Sequence, residues 1–217
     1  MQTIAIINYG SGNLHSAHKA VQRAAKEAGL DVEVQVTAEP ERVANADRII
    51  LPGVGAYADC KAGLVKLPGM IDALNETVIG KGRTFLGICV GMQLMATRGL
   101  EFVETKGLGW IDGDVVAIEP EDSTLKIPHM GWNTLEKQSD HELLSGLELS
   151  AHGLHAYFVH SYHMQPSDKS LIIAEAEYGG AITAMVGEDN WVGTQFHPEK
   201  SQQLGLRLLE NFLRWSP

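Results

Sequence analysis

The stretch Phe85-Leu86-Gly87-Ile88-Cys89-Val90-Gly91-Met92-Gln93 constrains the fold more than any other part of the chain. Its first four residues form a short apolar run that reads as a buried strand, and Gln93-Leu94-Met95-Ala96 reads as the opening of a helix. Cys89 then falls at the sharp turn between them, a nucleophile elbow. Gly87 and Gly91, two positions either side, let strand and helix approach where a Cβ would stand in the way. A buried strand that hands a side chain to the start of a helix belongs to an α/β sheet.

The first half of the chain keeps that rhythm. Strand patterns at 4–8, 32–36 and 48–51 alternate with helical patterns at 14–28, 57–67 and 71–79, and Gly29, Pro68 and Gly69 supply the stops. This predicts an α/β fold with a mostly parallel central sheet flanked by helices. After Gly107 the pattern changes to short strands at 115–118, 156–164, 171–177, 181–186 and 191–196, which we expect to be antiparallel strand additions in the second half. Residues 202–215 carry Leu204, Leu208, Leu209 and Phe212 at helical spacing, a stripe to pack on the sheet. There is no internal repeat and no low-complexity linker. With 217 residues, 44% of them hydrophobic, a single domain spanning 1–217 is expected.

The chemistry follows from the elbow. A helix N-terminus and a nearby imidazolium favour the thiolate, and a thiolate can attack an amide carbon. His197-Pro198-Glu199 follows the strand-like 190–196. If extended geometry continues through Pro198, His197 and Glu199 point the same way and the carboxylate fixes the imidazole tautomer. A lone cysteine in an apolar strand is more often a small buried hydrophobe. The order nucleophile first, base late, on an α/β chain favours a Cys89, His197, Glu199 triad. Pro52-Gly53-Val54-Gly55 follows another apolar strand and reads either as a plain turn or as a donor loop. Acyl transfer needs two N–H donors, one from Val90 after the nucleophile and one from a loop such as this, through Gly53 or Val54. Glycine there permits a peptide flip that would complete or abolish one donor, with Gly53 the expected pivot.

Other classes are disfavoured. The net charge of −10 and the scattered lysines and arginines leave no surface for nucleic acid. The N-terminal run is too short and too lightly charged for a leader, no stretch is long enough to span a membrane, and a cytoplasmic location is expected. Cys60 and Cys89 do not make a disulfide scaffold, and Cys60 reads as structural. His152, His155, His160 and His163 are the densest histidine group. Because His160 and His163 lie three apart on one expected strand, they point to opposite faces, and no metal is expected. Asn8-Tyr9-Gly10-Ser11-Gly12-Asn13 sits where a dinucleotide fingerprint would, but His15 replaces its third glycine, so a tight turn and no cofactor are expected.

With Cys89, His197 and Glu199 placed, the chain resembles the triad-type (class I) glutamine amidotransferases over nearly its full length. The segments 8–13, 51–55, 87–93, 128–133 and 157–162 carry the resemblance, and Pro128-His129-Met130-Gly131-Trp132-Asn133 narrows it to one branch. The resemblance implies that Cys89 attacks the side-chain amide of L-glutamine and that glutamate and ammonia result. It implies a heterodimer with a cyclase subunit of (β/α)8 barrel fold, which uses the ammonia to make imidazole glycerol phosphate and an aminoimidazole carboxamide ribotide in histidine biosynthesis. It assigns Gln93, Tyr157, His160 and Ser161 to the glutamine pocket, with Glu101 from the helix after the nucleophile. Asn13, His129, Trp132 and Asn133 would face the partner. A glutaminase serving another synthase, or a regulatory protein of the same fold without turnover, are the alternatives.

Overall fold

The computed structural model describes residues 1–149 and 152–217. In chain order its first half comprises β1 (Gln2–Ile7), α1 (Leu14–Ala28), β2 (Val32–Thr37), α2 (Pro40–Ala44), β3 (Arg48–Gly53), α3 (Tyr57–Val65), α4 (Met70–Leu74), β4 (Thr84–Cys89) and α5 (Val90–Gln93). Then come β5 (Ala96–Gly99), β6 (Thr105–Lys106), β7 (Ile111–Ala117), β8 (His129–Asn133), β9 (Glu136–Lys137), β10 (Ala156–His160), β11 (Tyr162–Pro166), β12 (Ile172–Glu177), β13 (Ala181–Glu188), β14 (Trp191–Thr194) and α6 (Gln202–Arg214).

The central sheet runs β2-β1-β3-β4-β14-β13-β12-β9. Its first five strands are mutually parallel, and the last three add antiparallel. β3 and β4 are buried along their whole length, which is why Ile49-Ile50-Leu51 and Phe85-Leu86 read as continuous apolar runs rather than alternating ones. The apolar stripe of α6, with Leu204, Leu208, Leu209 and Phe212 all buried, closes one side of the core beside α1. Gly29 ends α1 in a left-handed turn, φ 66°, as its position after the apolar stripe required.

Four expectations are corrected. The helix after the nucleophile is only the single turn of α5, because Ala96–Gly99 is drawn into pairing with β7 and β6 as strand β5. The strand expected at 156–164 breaks at Ser161 into β10, which pairs with β8, and β11, which joins the four-stranded sheet β11-β7-β5-β6. His160 and His163 therefore lie on different strands in different sheets. β14 is the fifth parallel strand, paired with β4, rather than an antiparallel addition. The helix expected at 71–79 is α4 continued by a π-helical segment, Asn75–Gly80. No helix among the described residues is long and apolar enough to cross a membrane.

Candidate active site

β4 delivers Cys89 into the start of α5 with φ 54° and ψ −113°, a left-handed backbone that is costly for a side-chain-bearing residue. The turn is held by close approach on both sides. A Cβ at Gly91 would overlap the Leu51 carbonyl of β3, and one at Gly87 would come within 2.8 Å of the Gly91 carbonyl oxygen and the Met92 nitrogen. Cys89 is 4% exposed, at the floor of a cleft of about 300 Å³. Val54, Gly55, Val90, Gln93, Glu101, Pro128, Val159, His160, Ser161, Tyr162 and His197 line the rest of it.

β14 lies beside β4, so the residues that follow it reach the same end of the sheet. His197 is buried, its backbone N–H donating to the Tyr157 carbonyl at 3.0 Å. Its Nδ1–H donates to Glu199 Oε1 at 2.8 Å, and the Glu199 side chain is only 3% exposed. The pair forms across a 3-10 turn, Pro198–Lys200, and not through extended backbone as expected; the turn brings the two side chains together instead. Nδ1 being committed, Nε2 is the nitrogen left for Cys89. Nε2 has no hydrogen bond of full geometry in this resting state, and such catalytic contacts commonly tighten only with substrate bound. Burial alone would push the His197 imidazole down. The nearby Cys89 sulfur and the hydrogen-bonded Glu199 carboxylate outweigh it and raise the group to about 9. The site therefore favours a protonated imidazole.

The donor loop is in an unexpected state. The Val54 N–H donates to Ser11 Oγ at 3.0 Å, while Ser11 Oγ and Cys60 Sγ both donate to the Val54 carbonyl, at 2.5 and 3.3 Å. Cys60 is thus structural in a specific sense, as part of a clamp on this peptide. Val90, opening α5, has an N–H without an intrahelical partner beside the nucleophile. Gly53 is not the pivot expected of it: it lies within β3, and a Cβ there would meet the Gly91 nitrogen at 2.7 Å and Val90 Cβ at 2.9 Å. The left-handed position, φ 93° in open space, is Gly55.

Of the residues expected in the glutamine pocket, Gln93, Glu101, His160 and Ser161 line the cleft and Tyr157 does not. Tyr157 points to the other face of β10, where its ring meets Trp132 at 5.6 Å and the Lys200 ammonium at 5.4 Å. Glu101 follows β5, and its Oε2 accepts the N–H of Tyr57 at 2.6 Å, capping α3. Among the expected partner-facing residues, Trp132 is exposed, Asn13 and Asn133 are half-buried, and His129 is buried at 3% exposure beneath the strand. Gln195 was missed: fully buried, it donates from Nε2 toward Cys89 Sγ at 3.6 Å. Its place two residues before His197 on an extended run was the signal available. Within the histidine group, His160 meets His129 and His163 meets Gln165, so those two do not converge on one point.

A cysteine at an elbow, an imidazole held by a buried carboxylate and a candidate donor loop, all at the carboxyl ends of parallel strands, match the class-I glutamine amidotransferase family, whose model covers residues 6–215. The chain belongs to that family. Within it, the chain groups with subunits named imidazole glycerol phosphate synthase subunit HisH. It is 62% identical to that of Agrobacterium fabrum (strain C58 / ATCC 33970), over 99% of both chains. It is 58% identical to that of Rhodopseudomonas palustris (strain ATCC BAA-98 / CGA009), over 99% of this chain and 100% of the relative. Among solved structures, a glutamine amidotransferase aligns with TM-score 0.68 at 18% identity over 97% of both chains. PurLQS from Thermotoga maritima aligns with TM-score 0.67 at 17% identity over 98% of both. These two likenesses speak for the fold.

Proposed function

We propose that the 217 residues act as one glutaminase unit of an imidazole glycerol phosphate synthase, working in the cytoplasm with a cyclase subunit of (β/α)8 barrel fold in histidine biosynthesis. The observation that carries this is the Cys89, His197, Glu199 arrangement at the floor of a cleft sized for one amino acid. The Cys89 thiolate adds to the side-chain carbonyl carbon of L-glutamine, and the oxyanion is held by Val90 N–H and a loop N–H. His197 gives its proton to the departing nitrogen, the C–N bond breaks, and ammonia leaves a glutamyl thioester. His197, now neutral, takes a proton from water as the hydroxide adds. Collapse releases glutamate and restores thiolate and imidazolium.

The clamp on Val54 supports a gate. With that N–H donated to Ser11 Oγ, the second oxyanion donor is withheld, and losing one such donor costs about 10²- to 10³-fold in rate. Docking of the partner would rotate the peptide and supply it. The test is glutamate release from L-glutamine by the purified chain, with and without the cyclase and its ribonucleotide ligand, using Cys89→Ala as control. Low basal release that rises with the liganded partner and vanishes in the control is expected. Release independent of Cys89 would overturn the assignment. In the same assay Ser11→Ala, which frees the Val54 N–H, raises basal release roughly two- to tenfold, the worth of one hydrogen bond.

A further inference from the structure

Behind the cleft lies a file of polar side chains whose two arms of hydrogen bonds meet at one backbone carbonyl. The Tyr162 carbonyl is its fixed point, because a carbonyl only accepts. It accepts from His160 Nδ1 at 2.9 Å and from Gln93 Nε2 at 2.9 Å. The first bond puts the His160 proton on Nδ1. His160 is 7% exposed, and burial holds it neutral, pushed down to about 3, so its Nε2 is an acceptor. That acceptor takes the Nδ1–H of His129 at 3.0 Å, which leaves His129 Nε2 to accept from Asn133 Nδ2 at 3.3 Å. Asn133 is anchored in turn by donating to the Glu177 carbonyl at 2.9 Å.

The other bond at the Tyr162 carbonyl orients the Gln93 amide. Its Nε2 also donates to Gln195 Oε1 at 3.0 Å, which turns Gln195 Nε2 toward Cys89 Sγ at 3.6 Å. Two tautomers and two amide orientations are thereby dictated by one carbonyl. The file begins on β8, whose Met130 and Trp132 are 65% and 48% exposed, and ends at the nucleophile. The His129 ring is held in place independently of these bonds, stacked on Phe158 at 4.6 Å and on Tyr178 at 4.0 Å.

We propose that His129 and His160 are positioning residues, which pass the placement of the exposed strand β8 through the Tyr162 carbonyl to the amides of Gln93 and Gln195 at Cys89. The proposal rests on the glutaminase reading above. Moving β8 by a fraction of an ångström lengthens or shortens the His129 to His160 bond, and the file ends at the Gln195 to sulfur contact. Gln195 is then the group through which a docked partner changes how the thiolate is held.

Two measurements test this. Long-range nitrogen–proton NMR on the full chain with labelled histidine should find His129 and His160 both neutral and both protonated on Nδ1 near neutral pH. Free imidazole side chains disfavour that tautomer. Either ring found protonated on Nε2, or doubly protonated, would overturn the file. The second measurement compares His129→Phe, which keeps the stacked ring and loses both hydrogen bonds, with His129→Gln, which keeps a donor and an acceptor. With the cyclase present, His129→Phe should lower kcat for glutamate release about three- to thirtyfold with KM for glutamine nearly unchanged, and His129→Gln should recover most of it. An unaltered kcat in His129→Phe, or equal losses in both variants, would overturn the role. Should His129→Phe not fold, the tautomers still decide. Absence of Cys89-dependent release by the unaltered chain with its partner would instead sink the glutaminase reading, and the NMR result would stand apart from it.

Discussion

At the scale of single residues, His197 gathers opposing influences. Its folded value of about 9 stands above the ordinary 6.5, so between those limits the folded chain holds a proton that the unfolded chain gives up. Stability drawn from the imidazolium is therefore fully present below about pH 6.5 and lost as pH rises through about 9. For a side chain this buried the contribution is of the order of 3 kcal/mol. His129 and His160, pushed down by burial to about 4 and about 3, act with the opposite sign. They are neutral in the fold and become charged on unfolding, so their penalty grows only as pH falls below 6.5. Glu199→Gln keeps an acceptor for His197 Nδ1 and removes the charge. Thermal unfolding from about pH 6 to about pH 10 should show a marked alkaline loss in the parent chain and a flatter one in Glu199→Gln, with the acid limb unchanged. Parallel alkaline slopes would mean that Glu199 does not hold the His197 proton.

At the scale of elements, the elbow depends on β3, β4 and α5 approaching so closely that no side chain fits between them. Gly91→Ala places a methyl group on the Leu51 carbonyl, a backbone atom that cannot turn away. Urea unfolding should show a loss of at least about 3 kcal/mol, at the upper end of what overpacking costs. A loss below about 1 kcal/mol would mean that strand and helix part easily. This element was legible in the sequence because an apolar run and two glycines are local signals. The strand and helix rhythm of the first half was legible for the same reason, as was the stripe of α6. α5 was not, since four residues are too few to show a helical period, and the pull of β7 on Ala96–Gly99 is not written in those residues. Nor was the break at Ser161, where an unbroken apolar and aromatic run conceals a change of sheet. In the site, the triad was legible from residue type and order. The Ser11 clamp on Val54, the burial of His129 and the bond from Gln93 to Gln195 join positions 43, 31 and 102 residues apart, and only the folded chain brings them together.

At the scale of the whole molecule, the order of the central sheet sets the ends of β3, β4 and β14 side by side, so that the loop, the nucleophile and the base meet at one rim. The pair β8 and β10 stands over that rim with two unlike faces. Its inner side carries His129, Phe158 and His160, all buried, and its outer side shows Met130 and Trp132 to solvent. Large apolar side chains left exposed above an active site cost solubility unless something covers them, and aromatic residues of this kind anchor protein interfaces. On the function proposed above, the occupant is the partner subunit of the synthase. Trp132→Ala should weaken its binding by about 2 kcal/mol, roughly thirtyfold in Kd by titration calorimetry. Because Trp132 is 48% exposed in the free chain, the thermal midpoint of the isolated chain should move by no more than about 2 °C. A large fall in that midpoint would make Trp132 a core residue of the β8 and β10 pair. Unchanged affinity with an unchanged midpoint would place the partner on another face, away from the strand that leads to Cys89.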